Sequence, residues 1–305
     1  MDPIMIPTDA VVLVTNATQP IPLQVVKQLL ERGCRVRAAT TCDEDGSWMT
    51  ELFPMHTYSG RFEHIKLTHD NQTDSSLYED AVKGVYAVVH SPTVAYLNQP
   101  PKEVWAKTAE SVLSMLEAAK GEKSVQAFVY TSSIVAVTSL STPSEAPVLV
   151  TEDSWNAKDV VLALTGKHND HVVHDSALVY AEQSLWHWQD KQYPKFKINV
   201  ISPSNLIGQN FAPHRTSDWQ NWLLELYRNG RATEVIPNAG PTQARKFPCS
   251  FHIGVLMVAD VARQIGMLTS RTWRCCTLQP SSTPRSPETV SMPGDASVIG
   301  TTPSR

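Results

Sequence analysis

The chain has 305 residues, 42% of them hydrophobic and 18% charged, enough apolar material for one large α/β domain or a domain with a lobe. A formal net charge of −4, with both signs mixed along the chain, leaves no electrostatic footprint for nucleic acid or an anionic membrane. Five cysteines (Cys34, Cys42, Cys249, Cys275 and Cys276) form no C-x-x-C pair, and their odd number argues against a secreted disulfide framework.

The first residues, Met1-Asp2-Pro3-Ile4, lack the basic-then-apolar layout of a signal peptide, and no stretch approaches the ~20 apolar residues that span a bilayer. The expectation is a cytoplasmic protein. Val11-Val12-Leu13-Val14 reads as a strand buried on both faces, and Ile21 to Arg32 as a helix stopped by Gly33. Arg35 to Ala39 reads as the second strand and Ile65-Lys66-Leu67 as the third. A short helix over Leu77 to Lys83 ends at Gly84, and Val85 to His90 forms the fourth strand. A helix from Val104 to Lys120 leads to the fifth strand at Ala127 to Tyr130. This alternation predicts α/β architecture: a doubly wound, Rossmann-like parallel sheet with right-handed crossovers.

Beyond Ser133 the alternation loosens. A loop-rich stretch from Ser139 to Lys167 precedes a helix over Val172 to Gln189 and a buried strand at Ile198 to Ile201. Thr216-Ser217-Asp218 caps an amphipathic helix bearing Trp219 and Trp222, and Val255 to Leu268 reads as another helix. From Ser270 the composition turns to Ser, Thr and Pro, which cannot bury enough apolar surface to fold alone. The expected division is a Rossmann-like domain over 9–200, a small substrate lobe over 201–268 and a disordered tail over 269–305.

Several signatures stand in a fixed order: Val11 to Thr15, Leu29-Leu30-Glu31-Arg32-Gly33, Asp80 to Gly84, Leu116 to Lys120, Tyr130 to Ile134, Thr151 to Asn156 and Ala181 to Trp186. In this order they resemble the extended short-chain dehydrogenases/reductases, of the epimerase/dehydratase type that includes fungal aldehyde/ketone reductases and dihydroflavonol reductases. The resemblance covers residues 9–268. It implies an NAD(P) cofactor and hydride transfer to or from a carbonyl of a small-molecule substrate.

The resemblance also implies a Gly-x-x-Gly-x-x-Gly loop after the first strand, where the backbone approaches the diphosphate. Here Asn16, Gln19 and Pro22 stand at the three glycine positions. Asn16 tolerates a positive φ, whereas Gln19 adds bulk and the Pro22 ring fills helix–strand space. The candidate cofactor-binding residues are Thr15, Asn16, Thr18, Gln19, Ile21, Arg37 and Asp70. Thr41 matches the arginine that takes the 2′-phosphate in NADPH-preferring relatives. Arg37 lies within the strand, where such a residue is more often structural. Asp70 matches the acid beside the adenine, or else serves as a turn cap.

The implied catalytic set is Tyr-x-x-x-Lys on a helix with a Ser at the end of the fifth strand. Ser133 matches the Ser, as an orienting hydroxyl or as a partner of strand-end backbone groups. Tyr180-x-x-x-Ser184 keeps the Tyr and loses the Lys. An ungapped match through Ala181 to Trp186 instead puts His174 at the Tyr and Leu178 at the Lys, and is preferred because it needs no deletion inside a helix. An imidazole titrates near neutral pH without a neighbouring cation, so His174 suits acid/base work without a nicotinamide. His168, His171 and His174 form H-x-x-H-x-x-H, but steps of three rotate by about 60° on a helix and converge poorly, so no metal is expected.

The expected function is therefore a cofactor-independent proton-transfer step (isomerisation, cyclisation or dehydration) in small-molecule, secondary metabolism. The alternatives are an NAD(P)H-dependent carbonyl reductase with altered cofactor binding and a non-catalytic pseudoenzyme. A homodimer is expected only by analogy with the family.

Overall fold

The structure, a computed structural model, describes residues 6–41, 46–67, 76–92, 99–139, 150–151, 153–166 and 169–203. Six parallel strands form one sheet in the order β3-β2-β1-β4-β5-β6. They are β1 (Val11–Thr15), β2 (Arg35–Thr40), β3 (Phe62–Lys66), β4 (Ala87–His90), β5 (Ala127–Thr131) and β6 (Lys197–Ile201). The helices are α1 (Pro20–Glu31), α2 (Trp48–Leu52), α3 (Pro54–Tyr58), α4 (Ser76–Val82), α5 (Pro101–Gly121), α6 (Ala157–Leu164) and α7 (Asp170–Gln192). A 3-10 turn over Ile134–Ala136 follows β5. This is the doubly wound, Rossmann-like sheet that the alternation predicts.

Strand alternation sends side chains to two separate cores, which is why these strands lack a polar face. Val12, Val14, Val36, Ala38, Val89 and Val129 pack with Leu23, Val26 and Leu29 of α1. Leu13, Ala39, Val88, Phe128, Tyr130 and Val200 point the other way, onto Met115 and Leu116 of α5 and Leu185 of α7. Gly33, with φ 84°, and Gly84, with φ 68°, end α1 and α4 in the left-handed region that stops a helix cheaply.

The order of the sheet reverses between β1 and β4, which pair in register from Val12↔Ala87 to Val14↔Val89. The carboxyl ends of these strands frame the crevice in which open α/β sheets place ligands. Three expectations shift. The third strand is Phe62–Lys66 rather than 65–67. The fourth starts at Ala87 rather than Val85. The stretch 139–167, read as loop, contains α6. The lobe helices around Trp219 and Val255, and the tail, lie outside the described residues.

Candidate functional site

At the crevice the loop after β1 keeps its shape without glycine. Asn16 holds φ 50°, and its side-chain amide donates to the carbonyl of Ser91 just beyond β4. The Gln19 amide donates to the Asn16 carbonyl at 2.9 Å, and the Ala17 amide donates to Ala39 of β2 at 3.1 Å. Thr15 ties the two central strands together: its hydroxyl oxygen accepts the Ser91 amide at 3.0 Å and lies 3.0 Å from Nδ1 of His90. Thr15, Thr18 and His90 are all buried, so these contacts hold the floor of the crevice.

The first turn of α1 decides what that floor can bind. Gln19 is the N-cap and makes no side-chain cap bond, and the helix opens Pro20-Ile21-Pro22. A helix N-terminus attracts anions through its unsatisfied amide N–H groups, and proline has none. Of the first three helical positions, Ile21 alone retains an amide hydrogen. The next amide, that of Leu23, already donates to the Gln19 carbonyl at 3.0 Å. Pro22 is buried, its ring taking up space that a glycine would leave open. The residues at this turn do not fit a dinucleotide diphosphate. The sequence alone exposed Pro22 as a packing change; the lost pair of donors, Pro20 included, becomes plain once the helix is seen to start at Pro20.

Arg37 lies mid-strand opposite Leu13, away from the carboxyl end. Its Nε donates to Glu63 at 2.9 Å, and its Nη1 donates to the Ala81 and Lys83 carbonyls at 2.8 and 2.9 Å. Its guanidinium thereby fixes the end of α4 to the sheet. Ile21 is half-buried in α1, and Asp70 lies outside the described residues.

Beyond β5, Ser133 caps the 3-10 turn, its hydroxyl accepting the Val135 amide at 3.4 Å, which leaves its own proton free to donate elsewhere. The neighbouring Ser132 donates to Oε2 of Glu182 at 2.7 Å, with both residues buried, which pins α7 to the end of β5. Leu178, one turn before Glu182, packs with Ala136 and Val179 and against Val135 of the 3-10 turn. The α7 face that bears Leu178 and Glu182 therefore lies toward Ser133. His174, one further turn back, follows that line of the helix.

Tyr180 occupies the other side of α7, 44% exposed, its ring stacked on Trp105 of α5 at 5.8 Å. Trp105 in turn donates its indole N–H to Ser176 at 2.9 Å. The two candidates for the acid/base position are thus on different faces of α7, with His174 on the line of Leu178 and Glu182. His174 itself is 41% exposed, and its Nδ1 lies 3.0 Å from Oδ1 of the largely buried Asp175. Sequence reasoning missed Asp175 because adjacent helical residues seldom face each other. It also missed Asn156, which caps α6 and donates to the Val135 carbonyl and to Asp159, each at 2.7 Å. Of the three-histidine run, His171 is exposed at the start of α7 and His168 lies outside the described residues.

His90 is the other functional-looking group that the sequence did not flag. Burial pushes its imidazole down to about 3, so it stays neutral, with Nε2 buried and unbonded and its ring stacked 6.4 Å from that of Tyr130. Its link to Thr15 depends on the β1–β4 pairing of residues 75 positions apart, which no local pattern reveals.

Among the described residues no helix is long and apolar enough to cross a membrane. The chain resembles the NAD-dependent epimerase/dehydratase terH of Aspergillus terreus, at 28% identity over 87% of this chain and 75% of that protein. Aldehyde reductase 2 of Sporidiobolus salmonicolor is 28% identical over 84% of this chain and 74% of its own length. Among solved structures, Gre2 of Candida albicans in complex with NADPH superposes with a TM-score of 0.61 at 18% identity, over 72% of this chain and 66% of that one. The chain spans 59–66% of the Gre2 chains it matches. A model of the NAD dependent epimerase/dehydratase family matches residues 12–247, and with its six-stranded, doubly wound sheet the chain belongs to that family.

Proposed function

We propose that this protein catalyses a cofactor-independent proton transfer (an isomerisation, cyclisation or dehydration) on a carbonyl-bearing small molecule of secondary metabolism. The observation that carries this reading is the first turn of α1. There Pro20 and Pro22 delete two amide donors at the point where a diphosphate would need them. His174 is the acid/base, because an imidazole has one nitrogen to accept a proton and another to donate one, and needs no neighbouring cation to do so. Ser133 orients the substrate oxygen, donating the proton that its bond from Val135 leaves free. Removing a proton next to a carbonyl builds negative charge on that oxygen, which such a donor stabilises.

A second reading, an NAD(P)H-dependent carbonyl reductase, is favoured by the left-handed Asn16, which keeps the turn that glycine usually makes. The reductase names among the relatives support it as well.

The two readings part on the mass of what accumulates. The test is to replace the gene in its host with a His174→Ala version and profile metabolites by mass spectrometry. Proton transfer predicts that a precursor accumulates which is isomeric with the lost product, or one water heavier. A precursor two hydrogens poorer than the product would show a reduction and refute the proposal. An unchanged profile would refute His174 as the acid/base and leave a non-catalytic role.

A further inference from the structure

Asp175 sits directly against the proposed base. Its carboxylate oxygen Oδ1 lies 3.0 Å from His174 Nδ1, and its side chain is 13% exposed where the imidazole is 41% exposed. The inner member of the pair is therefore the acid and the outer member the imidazole. A carboxylate is an acceptor only, so a contact at this distance on Nδ1 is a hydrogen bond if Nδ1 carries the hydrogen. That choice puts the lone pair of neutral His174 on Nε2, the far side of the ring from Asp175. A histidine with one nitrogen held by a partner has its tautomer and ring orientation set by that partner.

The surroundings make the contact more than a passing surface pair. Asp175 is followed one turn later by Leu178 and Val179, which pack against the 3-10 turn after β5, and two turns later by Glu182, bonded to Ser132. Wedged on that buried side of α7, the carboxylate has few rotamers open to it, and adjacent residues on a helix meet only when one is turned back along the axis. We infer that Asp175 is a positioning residue that holds His174 as the Nδ1–H tautomer and presents Nε2 as the proton-accepting atom. The inference rests on His174 as the acid/base of the proposed reaction, and it adds which nitrogen acts and what fixes it. Asp175 touches no reacting atom under this assignment; it acts through the imidazole.

The test uses the full-length protein labelled with ¹⁵N, reading the two ring nitrogens of His174 by long-range proton–nitrogen correlation at a pH where the ring is neutral. His174→Gln identifies the resonances by their disappearance. The wild type is expected to show a protonated Nδ1 and a bare Nε2. In Asp175→Leu, close in size to the original, this pattern should be lost in favour of the Nε2–H form that imidazole prefers in water. Asp175→Glu, which keeps the carboxylate, should recover the Nδ1–H form at least in part. A wild-type ring that already carries its proton on Nε2, or a ring unchanged in Asp175→Leu, would overturn the inference.

Thermal unfolding run beside it separates a fold defect from a tautomer change. If Asp175→Leu does not fold, the wild-type and Asp175→Glu spectra decide the matter alone. The readout needs no substrate, so it is independent of the metabolite profile of His174→Ala. A tautomer set by Asp175 with an unchanged profile would sink the proposed reaction while leaving the pair intact. The reverse combination would sink the pair alone.

Discussion

Restoring the missing amides at the start of α1 should create dinucleotide binding, and the gain can be worked out from the donors. The perturbation is Gln19→Gly with Pro20→Ala and Pro22→Gly, which returns two backbone N–H groups to the first turn and clears the bulk at both positions. A hydrogen bond to a charged group contributes roughly 1.5–3 kcal/mol, so two to a diphosphate are together worth roughly 3–6 kcal/mol, or about 10²–10⁴ in Kd. The same changes loosen the unfolded chain and put a glycine into a helix, at about 1–3 kcal/mol of stability. Asn16 need not change, since it already makes the turn with φ 50°. Isothermal titration of NADPH into the wild type and the triple variant measures the gain, with thermal unfolding confirming that the variant is folded. A folded variant that binds no more tightly than the wild type would refute the reasoning, because the missing donors would then not be what excludes the cofactor.

Two predictions concern the polar groups buried at the crevice floor. The hydroxyl of Tyr130 is buried without a hydrogen-bond partner, and burial together with the Glu182 carboxylate pushes its pKa up. Tyr130→Phe should therefore be neutral or raise stability, by up to about 1–3 kcal/mol, and a lowered Tm would show that the hydroxyl is bonded after all. His90 is held neutral in the folded chain, its pKa lowered from 6.5 to about 3, whereas the unfolded chain protonates it below 6.5. Its contribution to stability is fully present above pH 6.5 and is lost as the pH falls toward 3, at up to about 1.4 kcal/mol per pH unit. Urea midpoints at pH 7, 6 and 5 should fall more steeply for the wild type than for His90→Asn; parallel slopes would contradict the buried neutral imidazole.

Much of the fold was legible because its central strands are short apolar runs and two of its helices stop at glycines. Val11 to Val14 and Ala127 to Tyr130 announce a sheet buried on both faces, and Gly33 and Gly84 mark helix ends. The third strand was misplaced because Phe62-Glu63-His64-Ile65-Lys66 alternates, as suits the edge of the described sheet, rather than forming an apolar run. Helix α6 was missed because its eight residues sit in a loop-rich stretch, although Asn156 with Asp159 three positions later is a cap signal. At the site, the identity of the residues at the glycine positions needed no structure. Their consequence did: that Pro20 and Pro22 both fall within the first turn follows only from where the helix begins. For Arg37 the sequence offered a cofactor role beside the more usual structural one, and its bonds to Glu63, Ala81 and Lys83 are of the structural kind. The Thr15–His90 and Ser132–Glu182 bonds span 75 and 50 residues, and sequence pattern is silent on both.

We propose that the first turn of α1, where Pro20 and Pro22 leave Ile21 as the one amide donor of the first three positions, does not hold a dinucleotide. The most direct measurement is titration of NADPH and NADH into the unaltered full-length protein, read by heat and by thermal stabilisation. No saturable heat and no rise in Tm are expected with either nucleotide. Binding of either at micromolar Kd would contradict the proposal, because the first turn of α1 would then be holding a diphosphate with the single amide of Ile21.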